Sequence, residues 1–147
     1  MHRVVVTGLG AITPLGLDVP TFWQRLLAGE SGIDRIQSFD ASNLEVQIAA
    51  EVKGFDPRDF MDFKAARRMD RFSQFAVAAA REAIRDAQLE ITRENAERIG
   101  VMINTGGGGI QTMEREVVTF YQRGPSRVSP FFVPMFAPNM AACQVSI

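Results

Sequence analysis

The sequence of 147 residues has little of several residue types on which chemical sites in proteins commonly depend. One cysteine and one histidine exclude an internal disulfide framework and argue against a histidine-based metal site. The 16 basic and 17 acidic side chains nearly cancel, which removes the electrostatic basis for binding nucleic acid or an anionic membrane. Apolar runs stay well short of the ~20 residues that span a bilayer, and the N-terminus lacks a signal-peptide layout. We therefore expect a soluble, cytoplasmic protein that binds neither nucleic acid nor membrane and holds no metal or cofactor.

The residues that are present alternate between strand-like and helix-like patterns. Continuous or alternating β-branched segments predict strands at 3–10, 44–53 and 98–103. Capping residues and helical spacing predict helices that begin after Asp18, cover 69–88 and 110–122, and follow Asn139. The helix over 110–122 is expected to face inward with its apolar residues Met113, Val117, Phe120 and Tyr121. Strand–helix alternation predicts an α/β layered fold, and the last helix has no stop signal, so we expect a longer protein.

The glycines after the first predicted strand suggest a dinucleotide fingerprint, G-x-G-x-x-G, beginning at Gly8 and Gly10. The third position is Thr13, and the following Pro14 would interrupt a helix starting there. A structural turn is the preferred interpretation. A dinucleotide-binding oxidoreductase domain is kept as a remote alternative.

A second glycine run, residues 106–109, follows a predicted strand and precedes a predicted helix. Its backbone N–H groups could hold an anion, although no Lys-Ser/Thr pair completes a P-loop. The alternative is a turn where the backbone closely approaches another segment. The sequence leaves both readings open.

Two further features carry candidate chemistry. Cys143 lies among small apolar residues in a predicted helix, and the sole histidine is His2, so we expect a buried apolar residue and not a nucleophile. Basic residues cluster at Lys64, Arg67, Arg68 and Arg71. A solvated helix face is the simple explanation, but cations at the start of the long helix would oppose its dipole. An anionic partner is the alternative.

Five separated segments together resemble the β-ketoacyl-acyl-carrier-protein synthases, most closely the synthase II type. They are R-V-V-V-T-G-L-G-A-I-T-P-L-G at 3–16, L-L-A-G-E-S-G-I at 26–33, R-R-M-D-R-F at 67–72, R-I-G-V-M-I at 98–103, and S-P-F-F-V-P with N-M at 129–140. The resemblance covers the whole chain but roughly the first third of such an enzyme.

The resemblance implies a thiolase-like layered αβαβα fold and a homodimer that catalyses a decarboxylative Claisen condensation in fatty-acid biosynthesis. In that family the nucleophilic cysteine, two histidines and a lysine lie beyond the last residue of this chain, so no catalytic residue can be assigned here. Residues 1–147 then form the N-terminal part of a ketosynthase N-terminal domain, ending before the nucleophile. The chain alone is expected to be an inactive part of an acyltransferase.

The resemblance also implies roles for particular residues. Lys64, Arg67 and Arg68, with Arg127 in a second patch, match positions that dock the acyl carrier protein. Phe132 matches a residue of the acyl pocket, and Gly107 stands where synthase II enzymes often carry a branched apolar gate. Its absence favours an open acyl pocket and leaves open both the acyl length and the choice between fatty-acid and polyketide pathways. A non-condensing homologue, such as a polyketide chain-length factor, is the main alternative.

Overall fold

The computed structural model describes residues 3–147. The chain divides into two compact units, which are described separately. The first unit consists of Met1–Asp56 with Arg81–Leu89, and the second of Pro57–Ala80 with Glu90–Ile147.

The first unit contains helix α1, Val19–Leu27, and a short antiparallel ladder between β1, Asp34–Arg35, and β2, Ile48–Ala49. Asp18 caps α1 as predicted, because its Oδ1 accepts a hydrogen bond of 2.7 Å from the backbone N–H of Thr21. That bond, followed by the Thr21 hydroxyl, lowers the pKa of Asp18 from its ordinary value of 3.8. Pro20 stands in the first turn of α1, where it sacrifices no helical hydrogen bond.

The second unit is helical. Its helices are α2, Phe63–Ala66; the first ten residues of α3, Arg71–Asp86; α4, Ile110–Arg123; α5, Phe132–Phe136; and α6, Met140–Ser146. Three short 3-10 turns lie at Pro57–Asp59, Ala96–Arg98 and Pro125–Arg127. An apolar cluster of Met61, Ala66, Met69 and Val77, with Val145 of α6 packed against it, forms the core of this unit.

The predicted helices after Asp18, over 69–88, over 110–122 and after Asn139 are confirmed, with ends shifted by a few residues. The predicted strands are wrong in extent or existence. Residues 3–10 and 98–103 contain no strand, and only Ile48–Ala49 of the 44–53 segment is paired. A strand exists only through hydrogen bonds to a neighbouring strand. Val4 and Val6 are 92% and 80% exposed. The apolar pattern therefore predicted a strand-like segment but could not identify a neighbouring strand to pair with it.

The orientation predicted for α4 is also wrong. Met113, Val117, Phe120 and Tyr121 are all on its exposed side, Tyr121 at 82%, whereas the buried residues are Thr112 and Glu116. Both buried side chains have hydrogen-bond partners, described below, which offset the cost of removing them from water. Within residues 3–147, no helix is long and apolar enough to cross a bilayer.

Candidate functional site

The basic cluster lies in the second unit, with Lys64 in α2, Arg71 at the start of α3, and Arg67 and Arg68 on the short segment between these helices. Asp62 caps α2 by accepting hydrogen bonds from the backbone N–H groups of Lys64, at 2.7 Å, and Ala65, at 3.1 Å. Arg67 is the C-terminal cap of α2. The expectation that the cluster stands at the start of the long helix and opposes its dipole is therefore wrong for Lys64, Arg67 and Arg68, since only Arg71 lies in the first turn of α3.

Three arginines of the cluster lie over aromatic rings. The Arg67 guanidinium lies 5.7 Å from the ring centre of Phe63, that of Arg68 lies 4.7 Å from the ring centre of Phe131, and that of Arg71 lies 4.7 Å from the ring centre of Phe75. Arg67, Arg68 and Lys64 are exposed. The N–H donors of a guanidinium lie in its own plane, so contact with a ring leaves them available to bind a carboxylate or a phosphate through two hydrogen bonds. The cluster is thus partly pre-oriented for an anionic partner.

Arg127 ends the 3-10 turn Pro125–Arg127, which packs against α4. Its backbone N–H donates to the Gly124 carbonyl at 3.1 Å, and its side chain is exposed. Gly124 has a φ of 87°, a backbone conformation that favours glycine. The turn leads directly into the aromatic segment that follows.

The aromatic segment comprises residues 129–136. The buried carboxylate of Glu116 on α4 holds its start by accepting a 2.8 Å hydrogen bond from the backbone N–H of Ser129. Within α5 the rings of Phe132 and Phe136 stack with centres 5.6 Å apart and planes at 15°. Phe132 is partly buried. Because Phe131 carries the Arg68 guanidinium, the basic cluster and the aromatic segment are in direct contact.

The second glycine run, 106–109, is bonded to the other end of the aromatic segment. The N–H of Gly109 donates to the Phe136 carbonyl at 2.9 Å. Gly108 has a φ of 61°, and a Cβ at this position would lie 2.4 Å from the same carbonyl oxygen. This supports the reading as a turn of close backbone approach. A Cβ on Gly107 would lie 2.5 Å from Cδ1 of Ile110, so the Ile110 side chain takes up the space beside Gly107.

Asp70 is a site residue that the sequence analysis did not single out. Its buried carboxylate accepts hydrogen bonds through Oδ2 from the Thr112 hydroxyl, at 2.5 Å, and from the Thr112 backbone N–H, at 3.2 Å. This carboxylate stands at the N-terminus of α4 and places its own negative charge there. The sequence signal was available: an aspartate directly before a helical pattern is a typical N-cap.

Some of the candidate residues contact the aromatic segment and others do not. Arg68 joins the aromatic segment that contains Phe132, and the turn that contains Gly107 joins the same segment through Phe136. Lys64 and Arg67 belong to the α2 end of the cluster, while Arg127 reaches the segment through the chain. Cys143 is partly buried, and its sulfur lies 3.6 Å from the Asn139 amide nitrogen. Among residues 3–147, no group of three or more His, Cys, Asp or Glu side chains could hold a metal ion.

The first glycine turn, in the other unit, bears on the dinucleotide alternative. The backbone N–H groups of Ala11 and Val19 donate to the Glu82 carboxylate at 2.9 and 2.8 Å, and that of Leu9 donates to Asp86 at 2.8 Å. The amides that would bind a pyrophosphate are thus occupied by carboxylates, whose charge repels an anion. The observation argues against dinucleotide binding.

Comparison with known proteins assigns the class. The sequence model of the family described as "Beta-ketoacyl synthase, N-terminal domain" matches residues 1–147, so the chain belongs to this family. It is 52% identical over 145 residues to the 3-oxoacyl-[acyl-carrier-protein] synthase 2 of Staphylococcus aureus (strain COL), covering 99% of the chain and 35% of that relative. The chain thus spans about a third of the relative's length and corresponds to its N-terminal portion.

Solved structures give the same fold. A β-ketoacyl synthase from Burkholderia phymatum STM815 superposes with a TM-score of 0.80 at 28% identity, covering 99% of this chain and 36% of that one. The ishigamide ketosynthase/chain length factor superposes with a TM-score of 0.81 at 26% identity, covering 97% and 36%. The predicted thiolase-like α/β class is therefore confirmed, with this chain as an N-terminal part of it.

Proposed function

We propose that the protein containing this chain is a β-ketoacyl-acyl-carrier-protein synthase of fatty-acid elongation, and that this chain supplies the docking surface and part of the acyl pocket. The 52% identity to a relative named for this activity supports the assignment. The structural observation that carries it is the contact between an exposed basic cluster and an apolar aromatic segment, through Arg68 and Phe131.

The proposed reaction has two stages. A cysteine thiolate attacks the acyl thioester of the carrier protein, and the phosphopantetheine thiol leaves. Malonyl-carrier protein then loses carbon dioxide, and the resulting carbanion attacks the acyl-enzyme, releasing the cysteine and forming a β-ketoacyl-carrier protein two carbons longer. In the family the cysteine, the histidines and the lysine fall outside residues 1–147, so this chain alone is proposed to be inactive and to form the N-terminal part of the ketosynthase domain.

Carrier-protein docking is assigned to Lys64, Arg67, Arg68 and Arg127. All four side chains are exposed in the second unit, and stacking of Arg67 and Arg68 on phenylalanines lowers the entropy lost on binding. An acidic carrier helix with a phosphate-bearing arm offers the complementary charge. No membrane or nucleic-acid partner is invoked, and the cytoplasm is the proposed compartment.

The acyl-pocket assignment concerns Phe132 and Gly107. Phe132 stacks on Phe136, whose carbonyl is bonded to the glycine turn, so the two positions belong to one connected group. With glycine at 107, no branched side chain projects from that position as a gate, and the Ile110 side chain lies beside it. In the proposed homodimer, Phe132 lines the pocket of the neighbouring subunit.

The docking assignment is tested by charge reversal in the complete protein. Replacing Arg67 and Arg68 together by Glu is expected to weaken binding of acyl-carrier protein at low salt by at least about tenfold, since two steering contacts become repulsive. Fluorescence titration or calorimetry measures the affinity, and circular dichroism verifies folding. Arg93→Glu, an exposed arginine elsewhere in the same unit, is the matched control. Equal affinities of the double variant and wild type at low salt would contradict docking here.

A non-condensing homologue is the second candidate, because one structural neighbour is a ketosynthase/chain length factor assembly. Such a protein keeps the fold and the interface but lacks the nucleophile. The residue at the nucleophile position of the complete protein separates the two candidates, since only a cysteine there permits an acyl-enzyme.

A further inference from the structure

We propose that Asp70 is a positioning residue which caps two helices at once and thereby fixes the glycine turn 106–109 beside the acyl pocket. The acyl-pocket part of this inference rests on the proposed function. The capping part rests only on the structure of the second unit.

The first cap belongs to α3. The Asp70 carbonyl accepts the N–H groups of Ser73 and Gln74 at 3.0 and 3.1 Å, and its Oδ1 accepts the N–H of Phe72 at 3.3 Å. These are bonds of a residue that precedes a helix and satisfies its first donors.

The second cap belongs to α4, which has no cap of its own. Gly109 occupies the N-cap position and has no side chain to accept a hydrogen bond. The Asp70 Oδ2 replaces it by accepting the N–H of Thr112, the third residue of α4, together with the Thr112 hydroxyl. One carboxylate with two oxygens therefore satisfies donors of two helices that are far apart in sequence. Its negative charge also suits the N-terminus of α4.

The glycine turn is held between this carboxylate and the aromatic segment. A Cβ on Gly109 would lie 3.0 Å from Asp70 Oδ2 and 2.6 Å from the Met135 carbonyl oxygen, so the backbone passes through a narrow gap with acceptors on both sides. Gly109 and Gly108 are thus fixed against Asp70 and Phe136, and Ile110 begins α4 immediately afterwards. The position of Ile110 beside Gly107 follows from the position of the α4 N-terminus.

Asp70 is also two residues from Arg68, whose guanidinium lies on Phe131. The segment from Arg67 to Asp70 consequently contacts the aromatic segment through Arg68 and the glycine turn through Asp70. A loss of the second contact is expected to release the glycine turn while leaving the arginines in place.

The test is Asp70→Ala in the complete protein. Alanine has no side-chain acceptor, so the substitution removes the carboxylate bonds to both helices. Amide hydrogen exchange of residues 107–113 is expected to accelerate about five- to tenfold, the effect of losing one cap. The ratio of kcat/KM for long and short acyl-carrier proteins is expected to change at least about threefold, because Ile110 is no longer held.

Ser73→Ala is the matched control. Ser73 is a buried residue of α3, and its hydroxyl has no hydrogen-bond partner in the described part of the chain. The substitution therefore changes packing near Asp70 and leaves every capping hydrogen bond in place. If Asp70→Ala prevents folding, Thr112→Val and Thr112→Ser replace it. Valine lacks the hydroxyl donor and should accelerate exchange, whereas serine should restore the wild-type rate.

The outcomes are distinct. Exchange that is unchanged, or no faster than in Ser73→Ala, overturns the capping role, as do equal rates for Thr112→Val and Thr112→Ser. Faster exchange with an unaltered acyl-length ratio overturns the positioning of the pocket. A wild-type protein without condensing activity refutes the proposed function, and the exchange experiment still decides the capping role.

Discussion

The two glycine turns of this chain look alike in sequence, but each requires glycine for a different structural reason. In both, a carboxylate accepts backbone N–H groups: Glu82 for the turn of the first unit, and Asp70 for the N-terminus of α4 after the turn of the second unit. The first turn needs glycine at position 8 because the backbone of α3 lies directly against it. The second needs glycine at 108 because of its φ of 61° and the nearby Phe136 carbonyl.

The difference shows how little a glycine spacing says about ligands. Each turn follows an apolar segment and precedes a helix, the context in which phosphate-binding loops are sought. In each case a carboxylate of the protein already occupies amides at the turn or at the start of the following helix. The turns are therefore better explained as tight connections between packed segments.

The largest effect is expected at Gly8. A Cβ there would lie 2.2 Å from the Ala83 carbonyl oxygen in α3 and 2.6 Å from the nitrogen of Ala87, the residue that follows α3, and backbone atoms cannot easily move. Gly8→Ala should lower the free energy of unfolding of the complete protein by about 3 kcal/mol, measured by urea denaturation.

Gly106→Ala is its matched control, because a Cβ at 106 meets nothing within 4 Å. This substitution should change the free energy of unfolding by less than about 0.5 kcal/mol. Similar losses for the two variants would show that close packing does not explain Gly8.

A slightly smaller effect is expected at Gly108, where two causes are combined. Gly108→Ala should cost about 2–3 kcal/mol, because both the positive φ and the 2.4 Å approach to the Phe136 carbonyl oppose a side chain. Gly108→Asn distinguishes the causes, since asparagine tolerates this φ but carries the same Cβ. We expect it to be nearly as destabilising as alanine, and full recovery with asparagine would assign the cost to the backbone angle alone.

At Glu82 the expected effect is intermediate. Glu82→Gln should lower the free energy of unfolding by about 1–2 kcal/mol, because the carboxamide turns an N–H₂ toward one of the two amides that Glu82 now accepts. Asp86→Asn is the comparison, since Asp86 is exposed and, within residues 3–147, accepts one hydrogen bond, from the Leu9 N–H. Denaturation should show a smaller loss for Asp86→Asn, and the reverse order would contradict the role given to Glu82.

The smallest effect concerns Asp18 and is seen best as a pH dependence. Hydrogen bonds from Thr21 lower the pKa of Asp18, so its ionised form stabilises the fold above the ordinary value of 3.8, and this contribution is lost as the pH falls through the folded-state pKa. Asparagine is about as good an N-cap, so Asp18→Asn should cost less than about 0.5 kcal/mol near neutral pH.

The difference in free energy of unfolding between wild type and Asp18→Asn should shift in favour of the variant as the pH falls to about 3. Urea denaturation at both pH values measures it. A pH-independent difference would show that the Thr21 hydrogen bonds do not act on the charged carboxyl.

Local signals were sufficient for the helices and insufficient for the sheet. Asp18 with Pro20 predicted α1, and the alanine-rich stripe predicted α3, because capping and helical spacing depend on residues only a few positions apart. The strand segment at Val4–Val6 needs partners that no local pattern identifies, and the structure leaves it unpaired. The buried face of α4 was mispredicted because Thr112 and Glu116 are buried through hydrogen bonds to Asp70 and Ser129. Both partners lie outside α4, so the helical spacing of apolar residues within α4 could not reveal them.

For the candidate site, too, the sequence revealed local clusters but not the tertiary contacts between them. Lys64, Arg67 and Arg68 were recognisable as a cluster, and their family match gave them a role to test. The stacking of Arg68 on Phe131 and the two bonds from Thr112 to Asp70 are tertiary contacts, which the sequence could not supply. Those contacts connect the cluster to the aromatic segment and the glycine turn.

The most direct test of the proposed function is to incubate the complete protein with malonyl-carrier protein and an acyl-carrier protein, and to identify the products by mass spectrometry. We predict a β-ketoacyl-carrier protein two carbons longer than the starting acyl group, with release of carbon dioxide. Tight carrier-protein binding without any such product would contradict condensation and favour the non-condensing homologue.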